Sequence, residues 1–388
     1  MENMRFQWTK QFIFLVAINV FNSMSTFMIN PVISSYLVHV GLDFQYTGLV
    51  SALMSWVAIV FRPFSGALSD AFDKKKVMFI SYSLIAICMF LYPLSSSVAF
   101  SIVIRIIHGI IFALTSTISL SFSASFLEKE ILAEGLGYLT LGTLIGQMFG
   151  PSLGSMVADT ISRNMVFVLS GVSNVIALIL IGLLPYRKEE RKAAVKLKME
   201  NLYARELTVY VILIAILSLG NGIISYFLKD FGDYRGIRNI NLFYTVTSVV
   251  MVFLKPIAGK IHDRKGIRYI LYPGYILTAI SLFMIGKAYS LLPVLVAAVI
   301  KAVGQGASSP AIQSESVKIM GPDRSGVAVS TCYIGQDIGN AVGPTIASMM
   351  ISSYGYETMF NFFAALMLVG FVIFFLYQRK MSRAAVTA

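Results

Sequence analysis

The feature that most constrains this chain is a series of long stretches without one charged side chain. Asp, Glu, Lys and Arg are absent from residues 11–42, 77–104, 106–127, 135–158, 164–186, 207–228 and 358–378. A helix rises about 1.5 Å per residue, so roughly 20 apolar residues cross a hydrocarbon core about 30 Å thick. Because 57% of the residues are hydrophobic and only 13% are charged, too little polar surface remains for a soluble fold. The composition therefore excludes a soluble enzyme, a secreted disulfide-rich protein and a disordered chain.

The apolar segments and the turn-like breaks between them predict twelve transmembrane helices. Their approximate spans are 11–38, 46–68, 77–95, 98–125, 132–158, 164–185, 206–228, 239–259, 269–287, 290–317, 325–353 and 357–378. One long polar stretch, residues 186–205, lies almost midway along the chain. We therefore expect an all-α integral membrane protein with two pseudo-symmetric six-helix bundles, residues 1–185 and 206–388, joined by a cytoplasmic linker at 186–205.

The distribution of basic residues predicts how the chain is oriented. If both termini are cytoplasmic, 22 of the 31 Lys and Arg residues lie on the cytoplasmic side and five on the opposite side. Cytoplasmic segments of membrane proteins carry such an excess. The sequence therefore predicts a multi-pass protein of the cell membrane with both termini in the cytoplasm, and a basic loop at 229–238 is the one exception. The net charge of +12 is explained without a nucleic-acid partner.

The two halves of the chain repeat at an offset of 193 residues. Identical residues occur in register at Pro63/Pro256, Gly66/Gly259, Asp70/Asp263, Tyr82/Tyr275, Gly142/Gly335, Gly146/Gly339, Gly150/Gly343 and Pro151/Pro344. Two similar six-helix halves related by an axis along the membrane normal form a known transporter architecture, in which substrate is held between the halves near the midplane.

Several motifs in the two halves resemble those of one family. The segments GALSDAFDKKK (66–76) and GKIHDRKGIR (259–268) resemble the major facilitator superfamily signature Gly-x-Leu-x-Asp-Arg-x-Gly-Arg-Lys, which lies in the loop between helices 2 and 3. The first copy departs from that pattern at Ala71 and Asp73. Helix 4 contains RIIHG (105–109), similar to the family's Arg-x-x-x-Gly motif. Helix 5 contains GTLIGQMFGPSLG (142–154), which resembles a motif typical of exporters with drug/proton antiport activity.

This resemblance implies a secondary active transporter that works by alternating access. It also implies a cytoplasmic latch that stabilises the outward-open state, with Asp70 facing the N-terminal end of helix 11 and Asp263 facing that of helix 5. The implied gate residues are Gly66, Asp70, Lys74, Gly259, Asp263 and Arg264. Predicted helices 5 and 11 each carry a ridge of glycine and proline, whose members are Gly146, Gly150, Pro151, Gly339, Gly343 and Pro344. For these ridges, plain helix packing and a sliding antiporter-type interface both stay open.

Polar side chains recur at helical spacing on otherwise apolar helices and therefore share single faces. Lipid penalises such faces, so we expect them to line a water-filled substrate cavity, with hydrogen bonding between buried helices as the alternative. The candidate cavity residues are Asn19, Asn22, Thr26, Arg105, His108, Phe112, Asn221, Lys301, Gln305, Tyr333 and Asn340.

Charged side chains within the spans lead to the coupling hypothesis. Asp337 is the strongest intramembrane carboxylate, and we expect it to carry the proton. The basic candidates suit an anionic or zwitterionic substrate, although a structural ion pair of Asp337 with Lys301 would compete with that role. Helix 1 contains no Asp or Glu, whereas some drug/proton antiporters of the resembled family use a carboxylate there. We expect Glu315 to be solvated at the cytoplasmic end of helix 10.

Three functions remain open at this point. The first is proton-coupled efflux of a small organic molecule, and the second is import or symport of a metabolite such as an organic anion or sugar. The third is a membrane sensor or lipid-handling protein without coupled transport. No phosphate-binding loop or Ser-His-Asp set is present, so we expect no enzyme, no metal and no cofactor, with H+ as the coupling ion. The expected partners are a small-molecule substrate and membrane lipid, but not nucleic acid, and we expect a monomer.

Overall fold

The computed structural model describes residues 9–94, 97–124, 126, 132–186, 203–321 and 325–387. This part of the chain is helical apart from short turns, and no strand occurs in it. The helices are α1 Lys10–His39, α2 Phe44–Ala71, α3 Lys74–Leu91, α4 Val98–Ala124, α5 Leu132–Thr160, α6 Arg163–Leu183, α7 Thr208–Arg235, α8 Leu242–Lys265, α9 Arg268–Gly286, α10 Leu291–Met320 and α11 Ser325–Thr387.

Glycine in a left-handed backbone conformation marks several helix ends. Gly236, Gly266 and Gly321 have φ values of 69°, 86° and 76° and follow α7, α8 and α10 directly. Glycine adopts positive φ without the steric penalty of a Cβ atom. Gly355, with φ 78°, breaks α11 in the same way, so that α11 consists of a segment 325–354 and a segment 356–387.

The two family-signature segments, 66–76 and 259–268, are largely helical, and the prediction that they form loops was wrong. α2 continues to residue 71 and α8 to residue 265, and each is separated from the next helix by only two residues. Asp70 and Asp263 therefore lie in the last turns of these helices. Lys and Arg are good helix formers, so a charged segment ends an apolar span without ending the helix.

The predicted basic loop at 229–238 is also mostly helix, because α7 continues to Arg235. Lys229 is buried within α7 and forms an ion pair with Asp233 at 2.8 Å. Arg235 pairs with Glu357 at 3.4 Å between Nη2 and Oε2, and Lys287 pairs with the same carboxylate. The exception to the charge rule is thus offset by acidic side chains that a count of Lys and Arg ignores.

The chain divides into two compact units. The first unit comprises Met1–Leu42 and Leu53–Leu197, and the second comprises Asp43–Ala52 and Lys198–Ala388. In the first unit α1 packs mainly against α5 and α6, and α3 packs against α4 and α6. In the second unit α7 packs most extensively against α11, and α10 packs against α8 and α9.

Small residues allow close helix packing inside each unit. A Cβ atom added at Gly146 of α5 would lie 2.5 Å from Ser23 Cβ of α1, and one added at Gly150 would lie 2.8 Å from Phe27 Cβ. On α11, a Cβ atom at Gly343 would lie 2.9 Å from the Leu219 carbonyl oxygen of α7. Glycine at every fourth position lets neighbouring backbones approach in a membrane, where apolar burial gives no driving force. The two ridges thus contact equivalent neighbours, α1 and α7. Pro151 and Pro344 lie within the same helices.

The remaining helix faces are apolar and exposed. Val60, Leu183, Phe253 and Leu292 each expose more than 60% of their surface. Exposed apolar surface of this extent is characteristic of contact with a membrane. Nine helices among the described residues are long and apolar enough to cross one.

Candidate functional site

The polar face of α1 divides between helix packing and open space. Asn19 donates through Nδ2 to the Leu139 carbonyl at 2.6 Å and to Thr143 Oγ1 at 3.1 Å, both on α5. Thr26 donates to the backbone carbonyl of Asn22 at 3.2 Å. The side chain of Asn22 is partly exposed and has no hydrogen-bond partner among the described residues. Asn19 therefore links α1 to α5, whereas the amide of Asn22 remains available to a ligand.

A second polar contact, not anticipated from the sequence, joins α1 to α6. Ser25 Oγ and Ser170 Oγ are 2.5 Å apart, and Asn174 Nδ2 donates to Ser25 Oγ at 2.5 Å. Ser173 Oγ donates to the Phe21 carbonyl at 2.8 Å. The signal in the sequence is the group Ser170, Ser173 and Asn174, which recurs at helical spacing on the mostly apolar α6. These hydrogen bonds hold α6 against α1.

Arg105 and His108 lie three residues apart on α4, and both are buried, with 2% and 4% of their surface exposed. The Arg105 guanidinium lies beside the Tyr92 hydroxyl. The Tyr92 ring stacks on Phe167 with centroids 4.5 Å apart, and Tyr36 donates from its hydroxyl to the Tyr92 carbonyl at 2.6 Å. Arg105 thus lies beside a tyrosine of its own unit that is itself packed among aromatic side chains.

Two hydrogen bonds, one helical turn apart, connect α7 and α10 in the second unit. Lys301 Nζ donates to Asn221 Oδ1 at 2.8 Å, and Gln305 Nε2 donates to the Leu217 carbonyl at 2.5 Å. The spacing of four residues on each helix places both hydrogen bonds on one face. Lys301 is 2% exposed and has no carboxylate partner in the described part of the chain. The alternative of an ion pair between Lys301 and Asp337 is therefore not formed.

The carboxylate of Asp337 is buried on the first segment of α11, with 5% of the residue exposed. Gly339, two positions away, faces α7, where an added Cβ atom would lie 2.5 Å from Ser218 Cβ. Tyr333 and Asn340 of the same helix are partly exposed, as is Phe112 of α4. Among the described residues no group of three or more His, Cys, Asp or Glu side chains is arranged to hold a metal ion.

The gate residues are only partly described. The surroundings of Gly66 and the side chains of Asp70 and Asp263 are outside the described part of the structure, so the role of these residues in a latch stays a prediction. Arg264 is exposed at the end of α8. No atom lies within 4 Å of a Cβ atom added at Gly259, so nothing in its own surroundings requires glycine there.

The basic run at the start of α3 connects that helix to α6. Asp73, where the family pattern has Gly, is the N-cap of α3 and accepts from the backbone N–H of Lys76 at 3.0 Å. Lys74 is the first residue of the helix. Lys75 Nζ donates to the carbonyls of Gly182 and Leu184, at 3.1 and 2.7 Å, at the C-terminal end of α6. The departure from the pattern therefore has a structural purpose, because a capping carboxylate stabilises a helix start.

Glu315 is not a simply solvated residue, and that expectation was wrong. Its Oε2 lies 3.2 Å from Nε2 of His262, which is 4% exposed on α8. Lys318 Nζ lies 3.5 Å from the other ring nitrogen of His262. Because α8 packs against α10, His262, the residue before Asp263, reaches the carboxylate of Glu315.

The sequence profile described as the Major Facilitator Superfamily matches residues 15–285 and 209–387. The chain belongs to this family. It is a multi-pass membrane transporter, in agreement with the resemblance of its motifs.

Relatives of known sequence and structure agree with this assignment. The chain is 24% identical to an uncharacterized MFS-type transporter, MJ1560, of Methanocaldococcus jannaschii, over 94% of this chain and 97% of the relative. It is 24% identical to the multidrug resistance protein MdtG of Enterobacter lignolyticus, over 89% and 85%. The solved nucleoside transporter NupG superposes with a TM-score of 0.78 at 12% identity, over 95% and 99%. At that identity the likeness shows the fold alone.

Proposed function

We propose that this transporter exports a small organic molecule in exchange for protons by alternating access between two pseudo-symmetric six-helix bundles, residues 1–185 and 206–388. The 193-residue repeat and the break of α11 at Gly355, which makes twelve helical segments, support this architecture. The excess of basic residues on one side supports a place in the cell membrane with both termini and the 186–205 linker in the cytoplasm. A monomer suffices, because both halves belong to one chain.

Export is supported by two similarities of sequence. The glycine-proline ridge of α5 resembles that of drug/proton antiporters, and the chain is similar to the multidrug resistance protein MdtG. The observation that carries proton coupling is the buried carboxylate of Asp337 in a transmembrane helix. A charge at that depth is costly, so such a residue is retained for function. In this proposal Asp337 binds a proton on the outer side and releases it on the cytoplasmic side, while the substrate moves the opposite way.

The test uses the full chain in inverted membrane vesicles, in which the cytoplasmic face is outside. A fluorescent drug added outside is expected to accumulate when the lumen is acidified, and a proton ionophore is expected to release it. A thermal-shift screen of drugs, sugars and organic acids at two pH values selects the compound, since binding raises apparent stability by mass action. Accumulation under the reversed pH gradient would instead assign symport, and no movement of any binder would favour a sensor.

The latch proposal leads to a prediction about conformation. Asp263→Asn should remove roughly 1 kcal/mol of helix-dipole stabilisation from the outward-open state, about fivefold in population, and Asp70→Asn should act similarly. We expect the larger effect at Asp263, because its segment keeps the full Asp-Arg-x-Gly pattern. The measurement is a distance distribution between spin labels near Lys75 and Arg264. Unchanged distances together with normal transport would leave both aspartates as ordinary solvated residues.

A further inference from the structure

The side chains that form the two hydrogen bonds between α7 and α10 keep unused hydrogen-bonding groups, and one of these side chains is the buried Lys301. An ammonium group has three donors, and Lys301 uses one of them, on Asn221 Oδ1. The Nδ2 group of Asn221 makes no hydrogen bond to any described residue, and Asn221 is partly exposed. Adjacent side chains on two helices therefore keep donors that form no hydrogen bond with a described residue.

Gln305, one turn along α10, supplies a complementary group. It is 2% exposed, and its Nε2 is fixed on the Leu217 carbonyl, so the orientation of the amide is determined. Its Oε1 is buried and has no hydrogen-bond partner in the described part of the chain. Buried polar atoms are almost always paired, so an unpaired acceptor one helical turn from unused donors points to a ligand that completes them.

The charge of the missing group follows from Lys301. A buried ammonium without a counter-charge is destabilising, and a neutral or cationic ligand would leave it so. An anion removes this cost, and the two oxygens of a carboxylate match one donor from Lys301 and one from Asn221. Asp337 does not fill this role, because Lys301 has no carboxylate partner among the residues that the structure describes. Arg105 does not duplicate it, because its guanidinium is buried in the first unit beside the Tyr92 hydroxyl.

We propose that the transported molecule carries a carboxylate that binds Lys301 Nζ and Asn221 Nδ2, and that a hydrogen-bond donor of the same molecule binds Gln305 Oε1. This inference rests on the proposed transport function and names the substrate class for it. It also separates the two basic candidates within the membrane, since Lys301 binds the substrate and Arg105 supports the first unit.

The test compares probes that share a shape but differ in charge. Benzoate is paired with benzamide, and phenylacetate with phenylacetamide, and thermal unfolding of the full chain in detergent is followed by intrinsic tryptophan and tyrosine fluorescence. A ligand that binds the folded state raises the unfolding temperature by an amount that grows with the logarithm of its concentration divided by its Kd, so affinities are obtained from the shift at several ligand concentrations. We expect the Kd of each carboxylate to be at least about tenfold lower than that of its amide, because the carboxylate accepts charge-assisted hydrogen bonds.

Substitutions locate the discrimination. Lys301→Gln is expected to bring the affinity ratio of acid to amide to about one, whereas Lys301→Arg, which keeps the charge, retains a preference for the acid. Asn221→Ala is expected to weaken carboxylate binding about fivefold and amide binding less. Lys255→Gln makes the same change at a partly buried lysine of α8 and serves as the matched control, with an unchanged ratio.

Three results would overturn the proposal. These are equal stabilisation by acid and amide, a preference for the acid that survives Lys301→Gln, and no stabilisation of the unmodified chain by any carboxylate tested. Failure of this inference is separable from failure of the proposed function. Drug accumulation driven by a pH gradient with no discrimination between acid and amide would reject the carboxylate site alone. Discrimination without accumulation would reject proton-coupled export alone.

Discussion

Asp337→Asn is expected to abolish proton-driven accumulation while leaving the chain folded and inserted. Asparagine has nearly the same shape as aspartate but cannot bind or release a proton. The carboxylate is 5% exposed, so it has little contact with bulk solvent. If the pH gradient acts through this residue, accumulation in acid-loaded inverted vesicles should fall to background, a loss of about a hundredfold or more by analogy with removal of other essential acid–base groups. Exchange of substrate down its own gradient should continue, because that process requires no net proton movement.

The matched control is Asp43→Asn, which makes the same chemical change at an exposed position before α2. Among the described residues, the Asp43 carboxylate accepts hydrogen bonds only from Gln45, at 3.0 Å from its backbone N–H and at 3.3 Å from its side-chain amide. Its accumulation and unfolding temperature should equal those of the unmodified chain. Undiminished accumulation in the Asp337 variant would remove this residue from the coupling mechanism. Loss of downhill exchange as well would show damage to substrate binding rather than to coupling.

The transmembrane helices could be predicted from the sequence because one physical requirement determines them. A segment that crosses lipid must be apolar and must satisfy its own backbone, so a charge-free stretch indicates a helix. The ends of helices were predicted less well where the chain enters water. At Asp263 the composition changes from apolar to charged, but the helix continues to Lys265 because charged residues are good helix formers.

The candidate site shows a different limit. Periodicity indicates which residues share a face of a helix, but it does not indicate which helix that face meets. Asn19 and Asn22 belong to one polar stripe, yet Asn19 bonds to α5 and the Asn22 side chain bonds to no described residue. Lys301 was expected to face either substrate or Asp337, and its partner is the neutral Asn221.

The internal repeat has the same limit, because equal positions do not guarantee equal contacts. Tyr82 and Tyr275 are 193 residues apart and both are buried. The Tyr82 hydroxyl lies 3.1 Å from Ser119 Oγ on α4, whereas that of Tyr275 donates to the Leu213 carbonyl of α7 at 2.8 Å. The two tyrosines are equivalent in the repeat, but their hydroxyl groups contact different helices. For this reason a site in one half cannot be transferred to the other by adding the offset.

The glycine ridges yield the second large effect, a loss of stability on replacement by alanine. A Cβ atom at Gly154 would meet the carbonyl oxygen of Met28, and one at Gly339 would meet that of Ala215. Both are backbone atoms that move only if the helices separate. Overpacking of this kind costs about 1–3 kcal/mol, and in each helix it opposes the gain of about 1 kcal/mol that alanine brings over glycine.

We therefore expect Gly154→Ala and Gly339→Ala to lower the free energy of unfolding, measured by titration of detergent-solubilised protein with sodium dodecyl sulfate. Gly220→Ala is the matched control, because its added Cβ atom would lie 3.5 Å from Leu282 Cδ1 in ordinary contact. That variant should be as stable as the unmodified chain or more so.

The comparison of Gly339→Ala with Gly220→Ala also decides between the two interpretations of the ridge. If Gly339→Ala is as stable as Gly220→Ala but no longer transports substrate, the ridge is a sliding interface. If stability falls while the remaining folded protein transports normally, the ridge serves packing, and the close approach of α11 to α7 is a fixed part of the second unit.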